Sequence, residues 1–189
     1  IQCKLYPNDT QVENIQTAFS HSHFVWNELL HMQNKKFKGK SKVERRHMGC
    51  LPFVKMIPVL QKEYPQLKDV DYAALKQIAK ALERAFWRYF NGKADYPAFR
   101  TKTADGERDY VVRVQKGNVR LNNTRTYIYL AKVGWVKCRG DIPANMNKRM
   151  RLATIKQTKS GDYYITLQTA EKTKDLPKTN KAVGIDLGV

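Results

Sequence analysis

The sequence is poor in cysteine, in acidic residues and in long apolar runs. Its three cysteines, Cys3, Cys50 and Cys138, lie far apart, and no two of them form a C-x-x-C pair. This spacing excludes a zinc knuckle within the chain and favours reduced thiols, which are typical of cytosolic proteins. No apolar run reaches the roughly 20 residues that a membrane-spanning helix needs. We therefore expect a cytoplasmic protein without a membrane partner.

Acidic residues are few, and basic residues outnumber them about two to one. Among 189 residues there are 35 Lys and Arg against 17 Asp and Glu, which gives a formal net charge of +18. This excess is more than solubility needs, and it indicates a polyanionic partner, most commonly nucleic acid. His21 and His23 are two residues apart and would lie on different faces of a helix, so they do not favour a metal site.

Hydrophobic periodicity predicts a helical block inserted into a β-domain. Ile1–Tyr6 alternates as a half-buried strand. About three helices then follow over 9–91, the first opened by a capping box of Thr10 and Glu13, the second broken or kinked near Pro52 and Pro58. After residue 100 the pattern predicts short strands, which together indicate a small barrel or sandwich. These strands are expected at Asp109–Gln115, Asn118–Leu121, Thr126–Ala131, Trp135–Arg139, Arg151–Thr158 and Asp162–Thr169, the last two joined by a hairpin turn.

The stretch from Val70 to Arg100 carries the strongest signal. It predicts a helix capped by Asp71 and stopped by Gly92, with one apolar stripe. A second face carries cations at four-residue steps, which we call the cation ladder: Lys76, Lys80, Arg84 and Arg88. A loop with rings suited to base stacking and with further cations follows, namely Tyr96, Phe99, Arg100 and Lys102. The alternative, an ordinary solvated lysine-rich face, stays open from the sequence alone.

The segment Val183–Val189, VGIDLGV, places Asp186 inside an apolar strand. A buried acid is costly unless it is paired or bound to a metal. Two functional interpretations remain, a magnesium ligand on the first strand of an RNase H-like nuclease and a phosphate-binding turn of the actin and sugar-kinase type. A third is an Asp that only caps a turn at the end of a strand.

Four motifs in order resemble the TnpB family, the transposon-encoded RNA-guided DNA nucleases related to compact type V CRISPR effectors. The motifs are KLYPNDTQ at Lys4–Gln11, the helix and Y-P-A-F-R loop within Val70–Arg100, GWVK at Gly134–Lys137 and VGIDLGV at Val183–Val189. Together they span almost the whole chain, and they favour the RuvC-type nuclease interpretation of Asp186.

The resemblance implies an α+β fold in which an OB-like wedge β-barrel is interrupted by a helical recognition lobe. The expected divisions are 1–8 for the first wedge strand, 9–92 for the recognition domain, 93–177 for the barrel, and 178–189 for a linker and the first RuvC strand. Because the sequence stops inside that strand, we expect the N-terminal part of a longer protein.

The resemblance also implies roles for individual residues. Tyr72 and Lys76, at the start of the last recognition helix, would read a short motif beside the DNA target, although Lys76 could instead contact only phosphate. Trp135, Lys137 and Arg139 would contact the guide-RNA scaffold, the alternative being a barrel strand with solvated cations. Asp186 would hold Mg²⁺ in the full-length protein.

The predicted function is therefore the nucleic-acid-binding half of an RNA-guided DNA endonuclease that is associated with the nucleoid. Its expected partners are a guide RNA and a double-stranded DNA target. A single carboxylate does not make a two-metal site, so the chain alone should bind and not cut. Two alternatives remain, a nuclease-dead RNA-guided transcriptional repressor and a plain DNA-binding protein acting without RNA.

Overall fold

The fold combines helices with one antiparallel sheet. The structure is a computed structural model that describes residues 1–100 and 118–169, together with the backbone of 108–113. The strands are β1 (Gln2–Tyr6), β2 (Arg108–Arg113), β3 (Val119–Leu121), β4 (Tyr127–Leu130), β5 (Gly134–Arg139), β6 (Met150–Gln157) and β7 (Tyr163–Thr169). The helices are α1 (Asp9–Phe37), α2 (Lys42–Met48), α3 (Phe53–Glu63), α4 (Tyr72–Phe90) and α5 (Met146–Arg149), with a 3-10 helix at Pro65–Asp69.

The described strands form a nearly closed antiparallel barrel in the order β2-β6-β7-β1-β5-β4-β3. Strand β1 lies at the centre, with Leu5 opposite Cys138 of β5 and Cys3 opposite Ile165 of β7. The helices α1 to α4 lie between β1 and β2 in the chain. The predicted helical insertion is thus confirmed, and each strand predicted before residue 170 agrees with an observed one to within two residues at either end, whereas the strand predicted within 178–189 lies outside the described residues.

The free side of β3 is satisfied by a side chain in place of another strand. Leu121 donates its backbone N–H to Asn147 Oδ1 at 2.8 Å and accepts from Asn147 Nδ2 at 3.0 Å. Asn147 belongs to the short helix α5, which the sequence pattern did not predict. One amide side chain therefore pairs with both backbone groups of Leu121, which no further strand covers.

Helix α1 begins earlier than predicted. Asn8 is its N-cap and forms a capping box with Gln11, so the predicted box of Thr10 and Glu13 was wrong. Both four-residue segments fit the capping pattern, and the tertiary structure favours the first one. Gln11 also donates a hydrogen bond from Nε2 to the carbonyl of Trp135 at 2.8 Å, which ties the helix start to β5.

The second helical region is split into two helices. Gly49, with φ of +64°, ends α2, and Pro52 precedes α3, so the predicted break at Pro52 is confirmed. Pro58 lies inside α3 and does not end it. Because Ile57 and Leu60 on either side of Pro58 are fully buried, packing holds the helix together where one backbone hydrogen bond is missing. The insertion therefore has four α-helices where about three were predicted.

The core of the helical block is centred on Phe86 of α4. Its ring contacts those of Phe37 in α1, Phe53 in α3 and Tyr96 after α4, with centroid distances of 5.4–6.0 Å. Polar contacts join this block to the barrel, since Gln16 of α1 donates to the Tyr163 hydroxyl oxygen at 2.7 Å. The barrel and the helices also share one hydrophobic core, because their buried apolar residues form a single cluster.

Candidate nucleic-acid interface

Helix α4 is built as the sequence predicts. The Asp71 carboxylate accepts from the backbone N–H of Ala73 at 3.0 Å, and its second oxygen accepts from Asn118 Nδ2 at 3.0 Å. Gly92, with φ of +67°, lies just beyond the helix end. The apolar stripe faces the core, and its buried members include Leu75, Ile78, Leu82 and Phe86. The rotation of α4 about its axis is therefore fixed by the core.

This rotation places the cation ladder on the outside. Lys80, Arg84 and Arg88 are exposed, and Lys76 is half-buried. Among residues 1–100 and 118–169, the ion pairs join Lys4 to Asp162 and Lys40 to Glu44, and neither involves α4. Three of the four ladder cations are therefore exposed, and no acid of the described residues forms an ion pair with any of the four.

The first turn of α4 carries a paired ring and cation. Lys76 Nζ lies 4.9 Å from the ring centroid of Tyr72, and Tyr72 is itself exposed. This contact orients the ammonium group along the outer face of the helix. Tyr72 and Lys76 therefore lie side by side on the surface, where one ligand can contact both.

The loop after α4 differs from the expectation in one respect. Tyr96 is half-buried, its hydroxyl donates to Asn34 Oδ1 at 2.6 Å, and its ring packs edge-on against Phe86 and Tyr89. Tyr96 is therefore a packing residue of the helical block, and only part of its ring is left open to a ligand. Phe99 is half exposed and available to a ligand.

Arg100 is held against α1. Its guanidinium carbon lies 4.2 Å from the ring centroid of Trp26, and its backbone exchanges two hydrogen bonds with the side-chain amide of Asn27. Trp26 also donates from Nε1 to the carbonyl of Ala98. The loop is thus fixed along α1. Two further predicted site residues, Lys102 and Asp186, lie outside the described residues.

Strand β5 shows the predicted alternation. Trp135, Lys137 and Arg139 are exposed, and Val136 and Cys138 are buried. Burial raises the pKa of the Cys138 thiol to about 11, so this side chain behaves as an apolar core residue at neutral pH.

The strand register brings further rings and cations to the outside of the barrel. Tyr129 lies opposite Trp135 and Tyr127 opposite Lys137, and Tyr6 of β1 pairs with Lys137 from the other side. Arg120 of β3 places its guanidinium carbon 4.1 Å from the ring centroid of Tyr129 and 5.2 Å from that of Trp135. We call this surface the barrel face and define it by Tyr6, Arg120, Tyr127, Tyr129, Trp135, Lys137 and Arg139.

The sequence pattern did not indicate Tyr6, Arg120, Tyr127 and Tyr129 as residues of this surface. The alternation within each strand shows which residues share a face, but the neighbours across strands depend on pairing order and register. The alternating rings of β4, Y-I-Y-L, were the one visible signal, because they place two tyrosines on one face of a short strand.

Other site classes find no support in the described part of the chain. No group of three or more His, Cys, Asp or Glu side chains there could hold a metal ion. No helix in the same ranges is long and apolar enough to cross a membrane.

A family model matches the start of the chain. HTH_OrfB_IS605, described as a helix-turn-helix domain, matches residues 1–42. In this structure those residues hold β1, the single long helix α1 and the first residue of α2. A helix-turn-helix docking geometry therefore does not follow from the match.

Two curated proteins match most of the chain. It is 30% identical over 172 residues to InsQ of Escherichia coli (strain K12), provisionally named an RNA-guided DNA endonuclease, in a match covering 88% of this chain and 39% of InsQ. It is 21% identical over 192 residues to a Streptomyces pristinaespiralis protein with a similar provisional name, covering 98% of this chain and 45% of that protein. The chain spans less than half the length of either relative. These matches, with the ordered motifs, identify the chain as a member of the transposon-associated TnpB family.

Proposed function

We propose that this chain is the nucleic-acid-binding half of an RNA-guided DNA endonuclease. The barrel face binds the guide-RNA scaffold, and the cation ladder contacts the phosphate backbone of the guide–target heteroduplex or of the target DNA. Tyr72 and Lys76 read a short motif beside the target. The names of the relatives, which describe RNA-guided DNA endonucleases, support this proposal.

The barrel face is the observation that carries the proposal. It presents four aromatic rings next to arginine and lysine, and three of these rings, Tyr6, Tyr127 and Trp135, are 41–44% exposed. Exposed rings on a sheet stack on unpaired bases, and the neighbouring cations contact phosphates, which is how single-stranded RNA is bound by β-sheet modules. A merely solvated barrel would not need large rings on its outer face.

The first experiment separates an RNA-guided protein from a plain DNA-binding protein. Protein purified without nuclease is treated with RNase or with DNase, and the ratio of absorbance at 260 to 280 nm is measured. We expect RNase to lower the ratio towards that of free protein. A ratio that only DNase lowers would favour the plain DNA-binding protein.

The second experiment tests the cation ladder. Arg84→Glu/Arg88→Glu should reduce the magnitude of the slope of log affinity against log salt by roughly 0.7–0.9 for each phosphate that is no longer neutralised. Lys55→Glu/Lys62→Glu, on exposed positions of α3, is the matched control because it removes the same charge elsewhere on the helical block. Equal slopes in the two double variants would show that the ladder is ordinary solvated surface and contacts no phosphate.

The nuclease part of the proposal concerns the full-length protein and Asp186. Mg²⁺ held there would supply Lewis-acid chemistry for phosphodiester hydrolysis together with acids beyond this chain. In the full-length protein Asp186→Ala should abolish DNA cleavage while guide and target binding remain. A wild-type protein that binds its target and never cuts would favour the nuclease-dead repressor.

A further inference from the structure

A cationic cavity lies between the C-terminal half of α1, helix α2 and the loop after α4. Its volume is about 520 Å³, within the usual range for small-ligand sites. None of its lining residues belongs to the cation ladder or to the barrel face. The lining residues are His31, Asn34, Lys35, Phe37, Lys38, Arg45 and Tyr96.

The charge of this lining is of one sign. Lys35, Lys38 and Arg45 carry positive charge, His31 is basic, and no lining residue is acidic. The nearby acid Glu44 caps α2 through Ser41, and its other oxygen lies 3.8 Å from Lys40 Nζ. Lysines are common in the last turn of a helix, where they stabilise the terminal carbonyls, and Lys36 does this for α2 by donating to Met48 and Gly49. Lys35 instead lines the cavity.

Arg45 is held in place by rings. Its guanidinium carbon lies 5.9 Å from the ring centroid of Phe37 and 5.8 Å from that of Tyr96. Its Nε is buried and has no hydrogen-bond partner among residues 1–100 and 118–169. The Tyr96 hydroxyl is already bonded to Asn34. A guanidinium positioned by packing and not by an acid is preorganised to bind an anion, and its planar fork suits phosphate oxygens.

We propose that this cavity binds one phosphate-bearing nucleotide unit of a nucleic-acid strand. The phosphate lies on Arg45, Lys35 and Lys38, and the remaining volume takes the sugar or base beside Phe37 and Tyr96, because a phosphate alone is much smaller than the cavity. Tyr96 also contacts Tyr89 in the last turn of α4, with ring centroids 5.1 Å apart, so the cavity adjoins the end of the cation ladder. That this nucleotide belongs to a nucleic-acid strand, and is not a free nucleotide, rests on the proposed function.

The test compares Lys35→Gln/Lys38→Gln and Arg45→Gln with Lys55→Gln/Lys62→Gln on α3. Binding of a fluorescent single-stranded 12-nucleotide RNA is measured by anisotropy from 50 to 300 mM NaCl, and AMP and inorganic phosphate are titrated as competitors. The lysine pair should reduce the magnitude of the salt slope by about 0.7 for each phosphate that the variant no longer neutralises. Arg45→Gln should weaken binding about 10-fold or more, the usual effect of removing a charge-assisted hydrogen bond.

Two outcomes would overturn the proposal. One is a salt slope and affinity of the lysine pair equal to those of the α3 control. Another is AMP or phosphate competing at micromolar concentration, which would indicate a site for free nucleotides. If Arg45→Gln fails to fold, the lysine pair decides alone, since both of its side chains are exposed. Loss of binding in Arg84→Glu/Arg88→Glu with normal binding in the cavity variants would reject the cavity and leave the proposed function standing.

Discussion

Gly140 sits where β1 and the end of β5 approach closely. A methyl group at this position would lie 2.6 Å from Cys3 Sγ and 3.1 Å from the Cys3 Cα. Because part of that contact is with backbone, the clash cannot be relieved by a rotamer change alone. The absence of a side chain, and not any unusual backbone angle, is what this position requires.

We expect Gly140→Ala to lower the free energy of unfolding by about 1–3 kcal/mol, the usual cost of overpacking. Chemical denaturation followed by circular dichroism measures the loss, with Arg139→Ala on the exposed side of β5 as the control. Adding Cys3→Ala should restore part of the stability, because it removes the closest atom. A double variant as unstable as the sum of the single variants would contradict this cause.

His21 provides a second test at the scale of a residue. Burial lowers its pKa, while Asp69 nearby raises it to a smaller extent, and its Nδ1 is buried without a partner among the described residues. The unfolded chain therefore binds a proton at higher pH than the folded chain, so stability falls as pH drops below about 6.5. We expect His21→Gln to lose less unfolding free energy than the wild type between pH 7 and pH 5. Identical pH dependence in the two proteins would show that His21 does not contribute.

At the scale of elements, the loop after α4 depends on α1. Asn27 both donates to and accepts from the backbone of Arg100, at 2.9 and 2.8 Å. Asn27→Ala should cost about 1–3 kcal/mol, since it leaves two half-buried backbone groups unsatisfied. It should also weaken RNA binding if Phe99 and Arg100 contact the ligand.

Urea denaturation and RNA anisotropy measure these two effects, and Asn123→Ala, on an exposed asparagine in the β3–β4 turn, is the control. A loss of stability no larger than that of the control would mean that Trp26 holds the loop without Asn27. Normal RNA binding by a destabilised Asn27→Ala would exclude the loop from the interface.

Elements with strong local signals were predictable. Helix α4 has an N-cap, a complete apolar stripe and a stop glycine, and all three agree with the structure. Helix α1 has two overlapping capping boxes, and local pattern cannot choose between Asn8 and Thr10 because the decisive contact, from Gln11 to Trp135, is 124 residues away. The continuity of α3 through Pro58 likewise depends on burial, which local propensity does not include.

The candidate site was predictable only in part for the same reason. The cation ladder follows from helical spacing, and its exposure follows from the buried stripe opposite. The barrel face depends on β3, β4, β5 and β1 lying side by side, an order that no single strand encodes. The packing role of Tyr96 depends on its hydrogen bond to Asn34 of α1, which lies 62 residues earlier in the chain.

At the scale of the whole molecule, charge is left largely unbalanced. With a net charge of +18, the folded chain repels itself at low salt. We expect the melting temperature to rise when NaCl is increased from 20 to 300 mM, and to rise further with inorganic polyphosphate at constant ionic strength. Neutral dextran is the control. A melting temperature that neither salt nor polyphosphate raises would contradict this account.

The central place of β1 has a consequence for how the protein is made. Strand β1 leaves the ribosome before the rest of the barrel, and its partners in β5 and β7 are synthesised more than 130 residues later. A helical block can form early from local contacts, whereas the barrel closes only after these distant strands exist. During synthesis β1 is therefore an unpaired strand with apolar Cys3 and Leu5 on one side. Its lysine and glutamine on the other side reduce the risk that it pairs with a neighbouring nascent chain.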